Sequence, residues 1–108
     1  MTKFVRHKKR DANQGAVVKH FRRLGALVDD VSPLSDLGYD LVIQSRGAIR
    51  LVEVKDGSRA PSDRKLTKSE VEAQALHGAC YAVVTSEGDV ERLLHSIAHR
   101  LKYECEGY

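Results

Sequence analysis

The chain holds two cysteines, two prolines, one methionine and no tryptophan. Cys80 and Cys105 are too few and too far apart for a disulfide framework or a zinc site, so a reducing, cytoplasmic setting is the expectation. Prolines 33 and 61 mark two loops and leave the rest of the chain to regular elements. No apolar run approaches the roughly 18 residues that a membrane span needs. The opening "MTKFVRHKKRDANQ" has charge but no apolar segment behind it, which argues against a secretory signal. What remains, 42% hydrophobic and 31% charged over 108 residues, is ordinary for one globular domain.

The net charge of +3 conceals an asymmetry. Residues 1–23 carry eight Lys or Arg against one acid, whereas the rest carries ten basic and fourteen acidic residues. Residues 1–10 read as a basic N-terminal arm on a domain spanning 11–108. Such an arm either grips phosphate backbones, through Lys8, Lys9 and Arg10, or is a solvated tail.

Residues 12–24 place Ala16, Val17, Phe21 and Leu24 at helical spacing, with Asn13 as the N-cap and Gly25 at the end. "ALVDDV" (26–31) reads as a short strand, and "SPLSDLG" (32–38) as a loop. Thr67 and Glu70 form a capping box that starts a helix over 67–78. "ACYAVVTS" (79–86) reads as a strand buried on both faces, with Cys80 in the core. Residues 86–103 form a last helix with Val90, Leu93, Leu94, Ile97, Ala98 and Leu101 on one stripe. The order α-β-β-β-α-β-α predicts a mixed sheet flanked by helices.

The segment "GYDLVIQSRGAIRLVEVKDG" (38–57) is a hairpin with charge where its alternation calls for apolar residues. A two-residue turn at Arg46-Gly47 pairs Ser45 with Ala48, Gln44 with Ile49 and Ile43 with Arg50. Continued along the strands, Asp40 faces Glu53, and Glu53 shares its side of the sheet with Lys55. Like charges set opposite one another destabilise a sheet. Either Lys55 neutralises them as an ion pair, or a divalent cation sits between them, a role in which Mg²⁺ takes one or two carboxylates with waters and a phosphate.

Asp40 followed on the next strand by Glu53-Val54-Lys55 resembles the PD-(D/E)XK nuclease superfamily. With "RDANQGAVVKHFRRLGALVDDVS" and "PSDRKLTKSEVEAQ", residues 9–85 resemble the small phage and bacterial VRR-NUC-type nucleases. The resemblance implies a restriction-endonuclease-like α/β core, in order αβββαβ, with a C-terminal helix. It implies that Asp40, Glu53 and the Val54 carbonyl hold Mg²⁺ or Mn²⁺ and that Lys55 serves the attacking water. Gln14 stands where relatives place a metal-directed glutamate, and Tyr39 where they often have proline. Gln74 is a further polar candidate on the second helix. Small members resemble Holliday-junction resolvases and often act as homodimers, so the expected substrate is branched DNA, a junction or a flap. A duplex endonuclease, or a DNA-binding protein with weak chemistry, are the alternatives.

Elsewhere, Arg59, Arg64 and Lys65 lie in the loop after the charged strand, where they either contact DNA or face solvent. Asp56-Gly57 reads as turn chemistry, and Asp29 and Asp30 as solvent-facing. His20 and His77 read as helix-surface groups, as do His95 and His99 in the absence of a third metal ligand.

Overall fold

The computed structural model describes residues 12–34 and 36–106, with side chains up to residue 100. Lys8, Lys9 and Arg10 therefore lie outside the described residues, as do His7, Leu101 and Cys105 as side chains. Three helices, α1 (Gln14–Arg23), α2 (Lys68–His77) and α3 (Glu87–Glu106), accompany four strands: β1 (Leu27–Asp30), β2 (Leu41–Ser45), β3 (Ala48–Val54) and β4 (Tyr81–Val84). The sheet runs β1-β2-β3-β4. Its first three strands are antiparallel, and β4 joins β3 in parallel. This is the mixed α/β architecture expected from the pattern of the sequence. Among the described residues no helix is long and apolar enough to cross a membrane.

Local rules account for the boundaries. At the end of α1 the Gly25 N–H bonds the Arg22 carbonyl and the Ala26 N–H bonds that of Phe21, the paired bonds of a Schellman cap, with both Phe21 and Ala26 buried. The hairpin closes on Arg46 and Gly47, both with positive φ (52° and 80°). Such a turn matches the twist of the strands it joins. The register is the expected one, with Ser45 opposite Ala48, Gln44 opposite Ile49 and Ile43 opposite Arg50.

One face of the sheet presents Val28, Leu41, Ile43, Val52, Val54 and Val84 to Val17, Val18 and Phe21 of α1 and to Val90 and Ile97 of α3. Side chains alternate along a strand, so Glu53, between Val52 and Val54, faces away from this core. The opposite face is covered by α2 only in part and leaves Leu27, Ile49 and Val83 exposed.

Several expectations are corrected here. Only Tyr81–Val84 of the 79–86 run is strand, and Val83 is exposed because β4 is an edge strand that α2 covers in part. Cys80 is exposed, since it belongs to the Gly78–Cys80 turn that precedes the strand. His20 is buried rather than superficial: α3 lies over it and sets Glu91 Oε2 at 2.8 Å from its Nε2. His77 is half-buried and meets the Tyr39 ring edge-on, with centroids 5.8 Å apart. His95 and His99 do lie on the surface, their rings stacked at 6.4 Å.

The loop before Asp40 packs directly on α2. At Gly38, with φ +84°, a Cβ would stand 2.5 Å from the Ser69 carbonyl oxygen and 2.7 Å from the Ala73 Cβ. At Gly47 a Cβ would meet nothing within 4 Å. Gly38→Ala is therefore expected to cost at least about 2 kcal/mol, from positive φ and overpacking together, and Gly47→Ala about 1 kcal/mol from φ alone. Urea unfolding of the two variants checks that order.

Candidate active site

At the far end of the hairpin β2 and β3 separate, and a carboxylate fills the gap. The last registered pair is Leu41 with Val52, and the Asp40 N–H still donates to the Val52 carbonyl at 2.8 Å. Beyond it the Val54 N–H donates to Asp40 Oδ2 at 2.9 Å instead of to a backbone partner. Asp40 is 2% exposed and Glu53 fully buried. The strand register thus puts both carboxylates at the end of the same strand pair, as the sequence pattern requires.

Lys55 continues β3 by one residue, its N–H bonding the Val84 carbonyl at 3.0 Å. Its ammonium lies 3.5 Å from Glu53 Oε2 and 2.7 Å from Oε1 of Glu70. Glu70 is 1% exposed. Three carboxylates and an ammonium therefore share one buried region where the strands end beneath α2.

Tyr81 is the neutral member of the group. Its hydroxyl donates to the Gly38 carbonyl at 2.8 Å. Burial, reinforced by the charges of Glu53, Glu70 and Asp40, holds its pKa well above that of an ordinary phenol. The hydroxyl consequently remains a donor and anchors the loop that leads into Asp40.

The first turn of α1 closes the site from the other side. Asn13 occupies the N-cap position, but its side chain does not cap the helix. Its Nδ2 instead donates to the carbonyls of Lys55 (3.1 Å) and Thr85 (3.0 Å), tying α1 to the ends of β3 and β4. Gln14, 1% exposed, donates its Nε2 to both oxygens of Asp30 and to Ser32 Oγ. That orientation is fixed, because a flipped amide would set oxygen against a carboxylate. The buried Gln14 Oε1 has no hydrogen-bond partner among the described residues. Asp30 is exposed, as expected, and also accepts from the Ser32 N–H and hydroxyl.

The loop after Lys55 opens with an Asx turn, in which Asp56 Oδ1 accepts from the Ser58 N–H and hydroxyl. The Ser58 hydroxyl first, then its N–H, holds the Asp56 carboxyl below its usual range. Arg59 and Lys65 are exposed, while Arg64 is half-buried and donates its Nε to the Arg59 carbonyl. Gln74 is also exposed. The α2 side chain that reaches the site is Glu70, four residues earlier. Its role in the capping box accounted fully for a glutamate at that position, which left no sequence signal for the second role. A cleft of about 250 Å³ lined by Ser32, Gly38, Tyr39, Thr67, Ser69 and Glu70 opens beside it.

Among the described residues no three His, Cys, Asp or Glu side chains cluster closely enough to hold a metal by themselves. Any cation here would use Asp40 and Glu53 with backbone, amide or water oxygens, a donor set that suits Mg²⁺ or Mn²⁺.

A family model described as Protein NO VEIN, C-terminal, matches residues 7–95. A solved structure titled VRR_NUC domain is 34% identical, covers 77% of this chain and 95% of its own, and superposes with a TM-score of 0.52. A search of curated proteins gives no match.

Tyr81→Phe removes a buried donor and leaves the Gly38 carbonyl unsatisfied. It is expected to cost about 1–3 kcal/mol in urea unfolding, with the secondary structure retained by circular dichroism.

Proposed function

This chain belongs to the Protein NO VEIN, C-terminal, family and has the fold of a VRR_NUC domain, and from that footing we propose that it is a metal-dependent DNA endonuclease acting through Asp40, Glu53 and Lys55. The observation that carries this reading is the convergence of Asp40, Glu53 and Lys55, all buried, where β2 and β3 part. Buried charges of this kind are poor sources of stability compared with apolar packing. They are well suited to a reaction in which charge develops on a phosphate.

Asp40, Glu53 and the Val54 carbonyl would hold the cation, with Gln14 Oε1, a buried amide oxygen, available to it or to a water it binds. Bound there, Mg²⁺ or Mn²⁺ would supply Lewis-acid polarisation of the scissile phosphate and a more acidic attacking water. Lys55 orients that water or takes up negative charge at the phosphate. Asp40 is already held by the Val54 N–H, which limits the rearrangement that binding a cation would require. Arg59, Arg64 and Lys65, in the loop after Lys55, would hold the DNA backbone together with Lys8, Lys9 and Arg10 of the N-terminal arm. Contacts of this type position a substrate without reading its sequence.

The substrate class belongs to the same proposal: branched DNA, a four-way junction or a flap, cut by a homodimer whose two-fold axis presents two sites to a symmetric junction. Gln14 supplies no charge where a helix glutamate would, which favours weaker metal binding than a full acidic set.

Labelled four-way junction, flap and linear duplex are each to be incubated with Mg²⁺, Mn²⁺ or EDTA. Cutting confined to branched DNA, abolished by EDTA and reduced at least about a hundredfold by Glu53→Ala, is the expected result. Cutting of linear duplex would move the substrate class to ordinary duplex. Binding without cutting in either metal would make the fold a DNA-binding module.

The loop is tested separately by the salt dependence of junction affinity. Arg59→Ala and Lys65→Ala should each lower the slope of log affinity against log salt by about 0.9, across junction sequences alike.

A further inference from the structure

Glu70 has no part in the nuclease reading so far, yet it is among the most buried polar side chains of the chain. A capping box needs no buried carboxylate, because the Glu at its third position ordinarily lies at the helix surface. Here the oxygen that accepts the Thr67 N–H at 2.8 Å also takes the Lys55 ammonium at 2.7 Å. The Glu70 N–H bonds Thr67 Oγ1 in return. The first turn of α2 therefore fixes the carboxylate that fixes the lysine. The same ion pair joins the two ends of loop 56–66, since Lys55 precedes the loop and Thr67 follows it.

We infer that Glu70 is a positioning residue which draws the Lys55 ammonium toward α2 and away from Glu53, keeping the Glu53 carboxylate available to a divalent cation. The inference rests on the metal-dependent reading above. Its basis is the difference between 2.7 Å to Glu70 and 3.5 Å to Glu53. Attraction between charges grows as separation falls, so Lys55 is held more strongly by Glu70. Without the Glu70 charge, Glu53 becomes the nearer anion for Lys55, and the ammonium then competes with a cation for the same carboxylate. Charge at the first turn of α2 is itself favourable for Glu70, because the helix presents its N–H groups there.

The test is a Mn²⁺ titration, with free Mn²⁺ read by electron paramagnetic resonance, on the wild type, Glu53→Gln, Glu70→Gln, Lys55→Met and the double variant Lys55→Met with Glu70→Gln. Glu70→Gln should weaken Mn²⁺ binding about tenfold, as loss of a supporting partner at a metal site does. In the Lys55→Met background the same substitution should leave Mn²⁺ affinity unchanged, because the effect of Glu70 on the cation runs through that lysine. Unchanged affinity in Glu70→Gln overturns the inference. So does an equal loss in the Lys55→Met background, which would make Glu70 a ligand or a scaffold. If the wild type binds no Mn²⁺ and Glu53→Gln is indistinguishable from it, the metal-dependent reading fails and takes this inference with it. A wild type that binds while Glu70→Gln remains flat sinks this inference alone. Should Glu70→Gln fail to fold, Glu70→Asp replaces it, with a smaller deficit that Lys55→Met again removes.

Discussion

The hydrogen bond from the Val54 N–H to Asp40 Oδ2 is the contact on which the site depends. It stands where the ladder between β2 and β3 would otherwise end in an unpaired donor. Asp40 also donates its own N–H to Val52 and accepts the Val31 N–H at its carbonyl. One residue thus joins the ends of three strands. Its place is decided at the opposite end of the hairpin, by a turn whose two residues both adopt positive φ. Side chains alternate in a strand, so a slip of one residue would bring Leu41 to the site and turn Asp40 into the core. Turn chemistry and the placement of these carboxylates are therefore a single specification.

The charges gathered there require more than register. Glu53 and Glu70 are almost entirely withdrawn from water, and only about a tenth of the Lys55 side chain is exposed. Isolated charges so placed would be strongly destabilising. Lys55 lies between two carboxylates, Asp40 accepts a backbone N–H, and Tyr81 supplies a neutral hydroxyl that steadies the loop at Gly38. Gly38 allows α2 to approach closely enough for Glu70 to take part. The apolar core lies on the other face, between the sheet and helices α1 and α3, so apolar packing and the buried charges occupy opposite sides of one sheet.

Much of this was legible in the residues. The Arg46-Gly47 turn predicted the register, which holds from Ser45 opposite Ala48 to Leu41 opposite Val52. Thr67 and Glu70 predicted the start of α2, and Gly25 the end of α1. What the sequence concealed came from tertiary packing. The apolar run 79–86 looks like a central strand, but nothing in it states that β4 lies at the sheet edge or that Cys80 sits in a turn. His20 has no apolar signature, because its burial is imposed by α3 some seventy residues later. Gln74 and Glu70 are one helical turn apart on polar α2, and only the angle at which that helix meets β4 decides which faces inward.

The amides at the start of α1 show how one substitution entails another. Gln14, read from the resemblance as standing where related nucleases carry a glutamate, donates its Nε2 to both oxygens of Asp30. A glutamate at 14 would set a second carboxylate against Asp30 at a distance where the observed amide makes hydrogen bonds, and the two would repel. Glutamine at 14 and aspartate at 30 are thus mutually consistent: the negative charge sits on β1, and the helix contributes the donor that holds it. Asn13 extends the same logic to backbone, satisfying the Lys55 and Thr85 carbonyls where β3 and β4 end. The first turn of α1 is therefore bound to three strands through neutral donors. Two buried side-chain oxygens of that turn, Asn13 Oδ1 and Gln14 Oε1, are left with no hydrogen-bond partner among the described residues, because both amides spend their N–H groups on the strands.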